Sequence, residues 1–252
     1  MERTSTAGRE RLRRHLAGSS VNLFYVPALI LVSVFSVYPL FSGFALSLTN
    51  WDGLNPEKTF VGLGNYVTML HDANFRTILI NTLIYGVGST IIQQVLGLAL
   101  ALLLNSKIKA RNALRAIIYL PALVSAVIMG TMYYLIFQYQ QGALNTILSA
   151  FGLQKVVWFN NPTTAVVIIL LVNSFQFCGT SMIIYLAGLQ GMDQSVMEAA
   201  SLDGATGWTK FWNITMPMLM PAFSTSVVLN LIGGLKLFDV IKVLTGVYQM
   251  DA

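Results

Sequence analysis

Charge is what this sequence has least of. Only 10% of its 252 residues are Asp, Glu, Lys or Arg, against about 25% in an ordinary soluble domain. A chain this poor in charge, and 55% hydrophobic, has too little polar surface to face water on all sides. That excludes a soluble globular protein and points to an integral membrane protein. Cysteine is nearly absent: Cys178 stands alone, which excludes an internal disulfide framework, and its apolar surroundings make it a small buried residue. His15 and His71 lie far apart with no Cys or His at ligand spacing, so no metal site is expected. No Gly-x-x-x-x-Gly-Lys-Ser/Thr loop occurs, so the chain is not expected to bind or hydrolyse ATP. A nucleophile beside a base is also missing, and no catalytic residue is assigned.

What is present is a series of long apolar runs. Val21 to Leu48 is too long for a signal-peptide core and reads as a first transmembrane helix, bent at Pro27 and Pro39. Ile78 to Leu104, Ala116 to Gln138 (containing Pro121), Thr163 to Ala187 and Pro217 to Leu237 supply four more. Residues 49–77 and 139–162 are polar and rich in turn formers, and read as loops. The expected fold is an all-α polytopic transmembrane helix bundle of five spans. With the N-terminus in the cytoplasm, ten basic residues fall inside, among them Arg3, Arg9, Arg11, Arg13, Arg14, Lys107 and Lys210, and five outside. That excess is what orientation by positive charge requires, and the net charge of +5 is a topology signal rather than a nucleic-acid site.

Between the fourth and fifth runs lies the most patterned stretch. Asp193 can cap a short helix in which Val196, Met197, Ala200 and Ser201 share a face. Ala199 and Ala200 leave that surface shallow, so that another backbone can approach. Asp203-Gly204 ends the helix, since Gly accepts the left-handed conformation of a helix end. Thr206 can cap a second piece carrying Trp208, Phe211, Trp212 and Thr215 at helical spacing, and Pro217 opens the following helix. The stretch therefore reads as an amphipathic helical elbow, either a docking surface or a loop that packs on its own bundle.

The residues Glu198-Ala199-Ala200, Gly204, Ile214 and Met216-Pro217 resemble the EAA loop of the membrane (permease) subunits of binding-protein-dependent ABC importers, with Met216 where that family usually has Leu. The resemblance implies a coupling loop (Glu198, Ala199, Ala200, Asp203, Gly204, Ala205, Ile214, Pro217) seated on a cytoplasmic ABC ATPase dimer. It also implies a second related permease subunit, an extracytoplasmic solute-binding protein and a multi-pass place in a bacterial-type plasma membrane. No cofactor is implied for this chain, ATP being used by the partner. Leu48 to Asp52, Phe60 to Tyr66, Asn81-Thr82, Tyr185 to Gln190, Lys236 to Ile241 and Leu244 to Gly246 resemble the carbohydrate branch of that family. Residues 1–74 then form the basic N-terminus, first helix and external loop, and 75–252 a type-1 (MetI-like) transmembrane domain. The resemblance implies six spans, the last of them beyond Gly246 and so not contained in a chain ending at Ala252.

Polar groups at membrane depth suggest the solute. Asn173, Gln176 and Thr180 fall at i, i+3, i+7, and Ser226 and Asn230 lie on the fifth run. Uncharged amides and hydroxyls suit a sugar, whereas an ion path favours carboxylates; the same groups also join helices by hydrogen bonds of about 0.6–2 kcal/mol. An importer of another solute (glycerol phosphate or an amino acid) and an ATP-independent carrier are the remaining readings.

Overall fold

The computed structural model describes residues 25–54, 57–106 and 108–246. The Arg3 to Arg14 cluster, His15, the first residues of the first expected span, Lys107 and everything after Gly246 lie outside them. The chain divides into two compact units, Met1–Arg76 and Thr77–Ala252.

In the first unit the apolar run forms α1 (Tyr25–Ser47), and its most apolar window has no buried residue. Residues Ser33–Val37 make a π turn in which the N–H of Tyr38 reaches back to the Ser33 carbonyl. Pro39 follows at once, and the wider turn accommodates a ring that would crowd a regular helix. The segment expected to be only loop contains α2 (Gly64–His71). Asn65 ties α2 to the end of α1 by donating to the carbonyls of Ser47 (2.9 Å) and Thr49 (2.7 Å). The Lys58 ammonium sits 4.0 Å above the Trp51 ring.

The second unit is organised on α7 (Pro162–Gln190), which buries more of its length than any other candidate span. Asn161 caps it, its side chain accepting from the N–H of Thr163 at 2.9 Å. Against α7 pack α3 (Ala73–Asn105) and α9 (Gly207–Leu235). One apolar cluster lies near the C-terminal end of α7, where Met182, Tyr185, Leu186 and Leu189 meet Leu104 and Leu219. A second lies near its N-terminal end, where Ile168, Ile169 and Val172 meet Tyr85, Val240 and Leu244. Small residues let the helices close in. A Cβ added at Gly97 would lie 2.4 Å from the Ser181 Cβ, and one at Gly234 would lie 2.9 Å from the Gly86 Cα.

The third expected span is not one helix. It is α4 (Arg111–Leu123) and α5 (Ala126–Phe137), bent by 97° at the break between them. Pro121 removes a donor from the last turn of α4, and Val124 and Ser125, the two residues between α4 and α5, are extended backbone. The Val124 carbonyl released there accepts from Gln176 of α7 at 3.4 Å. Leu114 and Ile118 of α4 join the first cluster, and Tyr133 and Phe137 of α5 join the second. The bent pair thus reaches both clusters along α7, and counted as one broken span it makes five among the described residues.

Residues 139–162, expected to be loop, include α6 (Ala143–Ala150). Its buried Asn145 donates to the carbonyls of Tyr139 (3.0 Å) and Val156 (2.9 Å) and accepts from the Val156 N–H (3.0 Å). The chain closes with α10 (Asp239–Gly246), which packs on α5. Asp239 opens that helix, where its charge meets the free N–H groups of the first turn.

Candidate functional site

The elbow begins at α8 (Gln194–Leu202). Asp193 caps it, its carboxylate accepting from the Ser195 N–H at 2.8 Å. Hydrogen bonds from the Ser195 hydroxyl and N–H hold that carboxyl below its ordinary range. The helix ends on Gly204, at φ +83°. The Ala205 N–H returns to the Ala200 carbonyl (2.9 Å) and the Gly204 N–H to that of Ser201 (3.2 Å), the paired closure that a left-handed glycine allows.

Two details of the elbow differ from expectation. Thr206 occupies the cap position before α9 but its side chain makes no capping bond. Pro217 does not open a new helix, because α9 runs unbroken from Gly207 to Leu235. A π turn at Phe211–Thr215, with the Met216 N–H bonded to the Phe211 carbonyl, carries the helix past the proline. This is the device that precedes Pro39 in α1, and Ile214 lies within it.

The elbow's faces are also sorted. Ala200 is buried, so the shallow outer surface belongs to Ala199, with Glu198 and Asp203 exposed beside it. Leu202 is 89% exposed and Trp208 74%, an apolar tip that is uncovered among the described residues. The Trp208 ring stacks on Phe211 at 5.6 Å. Behind α8 a cleft of about 770 Å³, lined by Asn105, Gln190, Glu198, Ser201 and Lys210 among others, separates it from the ends of α3 and α7.

The polar residues of the spans do not act as one set. Asn173, Thr180 and Asn230 line a cavity of about 370 Å³ between α3, α7 and α9. Gln176 does not line it: a residue three positions on is rotated by about 60° from the first, and this one turns to the broken span instead. Ser226 is fully buried one turn nearer the elbow and is not part of the lining either. Asn230 donates to Ser181 at 2.6 Å, joining α9 to α7. Other lining residues lay outside the expected set, Gln93 and Phe177 among them. Gln93 of α3 is 1% exposed and donates to the Asn173 carbonyl at 3.3 Å, while its side-chain oxygen has no partner among the described residues. Phe177 forms an aromatic wall one turn after Asn173. Gln93 was visible as an amide at membrane depth; Phe177 carried no signal, since an aromatic residue in a span is ordinary. The charged lining residues, Lys236 and Asp239, are exposed and follow the end of α9. Among the described residues no group of His, Cys, Asp or Glu could hold a metal ion.

The chain is similar to known proteins. Residues 93–251 match the family model described as the binding-protein-dependent transport system inner membrane component. The trehalose/maltose transport system permease MalF of Thermococcus litoralis is 36% identical over 224 residues, covering 89% of this chain and 76% of that protein. The arabinooligosaccharide transport system permease AraP of Bacillus subtilis is 37% identical, covering 86% of this chain and 69% of that one. A solved bacterial alginate ABC transporter, in complex with an alginate pentasaccharide-bound periplasmic protein, contains a chain that superimposes with TM-score 0.72. That chain is 25% identical, with 88% of this chain and 73% of that one covered.

Proposed function

This chain belongs to the family of binding-protein-dependent transport system inner membrane components, and we propose that it is the permease subunit through which an ABC importer passes a sugar or oligosaccharide. The observation that carries the sugar reading is the cavity. Its polar side chains within the spans are Gln93, Asn173, Thr180 and Asn230, all uncharged, with phenylalanine beside them. Amides both donate and accept, which suits a solute made of hydroxyls, and no buried charge is offered to an ion. The names of the relatives, for trehalose and maltose and for arabinooligosaccharides, agree in substrate class. Gln176 and Ser226 serve the bundle rather than the solute.

In this reading the elbow is the coupling loop. Ala199, Asp203 and Gly204 sit on its outer side, Glu198 borders the cleft behind α8, Ala200, Ala205 and Ile214 form its seat, and Pro217 follows the π turn within α9. The exposed tip at Leu202 and Trp208 supplies apolar area for a cytoplasmic ATPase to cover, and energy enters by that subunit's hydrolysis of ATP. A related permease subunit would pair with this one in the membrane. A solute-binding protein would deliver the sugar from the other side.

A mild-detergent pull-down of the tagged chain tests the assembly. It should retain an ATPase with a phosphate-binding loop, a sister permease and a solute-binding protein whose bound ligand names the sugar. Glu198→Lys should insert in the membrane normally and retain several-fold less ATPase. Recovery of the wild-type chain without an ATPase would sink the proposal.

A further inference from the structure

Lys210 lies on α9 and reaches back across the elbow to α8. Its ammonium donates to the Met197 carbonyl at 2.8 Å and to the Ser201 hydroxyl at 2.7 Å. Ser201 in turn donates to the same Met197 carbonyl at 2.9 Å, so the three groups close a ring of hydrogen bonds. Both partners are neutral and the donor is charged, which makes these bonds stronger than neutral ones. The only covalent link between the helices at this end is the turn at residues 203–206, four exposed or half-buried residues around a left-handed glycine. Such a turn fixes a path, not an angle. The lysine adds a side-chain tie across that turn, thirteen residues from its partner on the other helix.

The far end of α9 gives that angle a consequence. From Lys210 the helix continues without a break, through the π turn, to Gly233 and Gly234, which line the polar cavity. At 1.5 Å per residue the distance is about 35 Å. A movement of α8 reaches the cavity wall through α9 only if α8 and α9 turn together.

We propose that Lys210 is a positioning residue, a latch that makes α8 and α9 one lever, so that displacement of the elbow is delivered to the cavity wall at Gly233. This rests on the elbow's being the ATPase-coupling loop. Lys210 touches neither nucleotide nor sugar in this role; it acts through Met197 and Ser201.

The test reads access at one end of α9 while nucleotide acts at the other. Gly233→Cys is the reporter, since a Cβ there meets nothing within 4 Å, in a Cys178→Ala background that removes the one native thiol. The co-purified complex is reconstituted in phosphatidylethanolamine–phosphatidylglycerol vesicles and labelled with a water-soluble maleimide, without nucleotide and after trapping with ATP and vanadate. The labelling rate should change by about fivefold or more on trapping. Lys210→Met, which keeps the stem and removes the donors, should retain the ATPase and lose that change, and Lys210→Arg should restore it. An unchanged nucleotide response in Lys210→Met, with ATPase retained, overturns the latch and leaves the proposed function standing. If the wild-type chain retains no ATPase, the proposed function and the latch fall together. If Lys210→Met itself loses the ATPase, Ser201→Ala decides: a weakened response with ATPase retained supports the latch, and a full response overturns it.

Discussion

Gly204 and Asp193 set the geometry of the elbow, one at each end of α8. Gly204 sits at φ +83° with nothing within 4 Å of where a Cβ would be, so its constraint is the backbone and not space. Alanine there is held in a left-handed conformation at a cost of about 1–2 kcal/mol. Proline, locked near −65°, cannot adopt it at all. Gly204→Pro should leave insertion and the melting of the bundle nearly unchanged while raising amide hydrogen exchange across 197–210; unaltered exchange would show that another conformation serves as well. Asp193 makes a pH prediction. Its carboxyl is held below the ordinary value of 3.8 by the Ser195 hydroxyl and N–H, so the folded pKa is lower than the unfolded one. The cap's contribution is therefore present above about pH 3.8 and is lost as the pH falls through the lower folded value. Exchange in the first turn of α8 should rise in that acid range for the wild type. Asp193→Asn, which still accepts but does not titrate, should show no such rise. Both residues were legible in the sequence, because a cap and a left-handed glycine are local decisions.

The helices themselves were legible in number and less so in form. Apolar run length decides that a span exists, and it found α1, α3, α7 and α9. It did not find the 97° bend between α4 and α5. Pro121 was in view, but whether a proline kinks or breaks a helix depends on a neighbour's offering a donor, and Gln176 does so from 52 residues away. The same blindness applies to glycine contacts. Gly97 and Gly233 both look like weak points in a helix, yet a Cβ at Gly97 meets the Met182 nitrogen at 3.0 Å whereas one at Gly233 meets nothing. Gly97→Ala should force α3 from α7 and cost about 1–3 kcal/mol. Gly233→Ala should be neutral or stabilising by up to about 1 kcal/mol. Thermal melts of the two variants in one detergent would separate them, and equal melting temperatures would contradict the close approach of α3 to α7.

At the scale of the whole molecule, the two apolar clusters define two ends of the second unit. The elbow, the start of α4 and the end of α3 lie at the end marked by Leu104, Leu189 and Leu219. The segment with Trp158 and Phe159 and the start of α10 lie at the end marked by Tyr85, Val172 and Leu244. α4 touches the first cluster and α5 the second, as a pair that crosses together requires; were they re-entrant, the segment around α6 would return to the side from which α4 entered. Single cysteines at Ser106, Thr206, Ser149 and Asn160, in a Cys178→Ala background, distinguish the two. An impermeant maleimide applied to intact cells should label Ser149→Cys and Asn160→Cys as a pair and spare Ser106→Cys and Thr206→Cys until the membrane is opened. The excess of basic residues counted for the elbow side predicts which pair is outside. Labelling of Ser106→Cys together with Ser149→Cys would make the bent pair re-entrant. The elbow would then lie across the membrane from the start of α4, and no single ATPase surface could reach both.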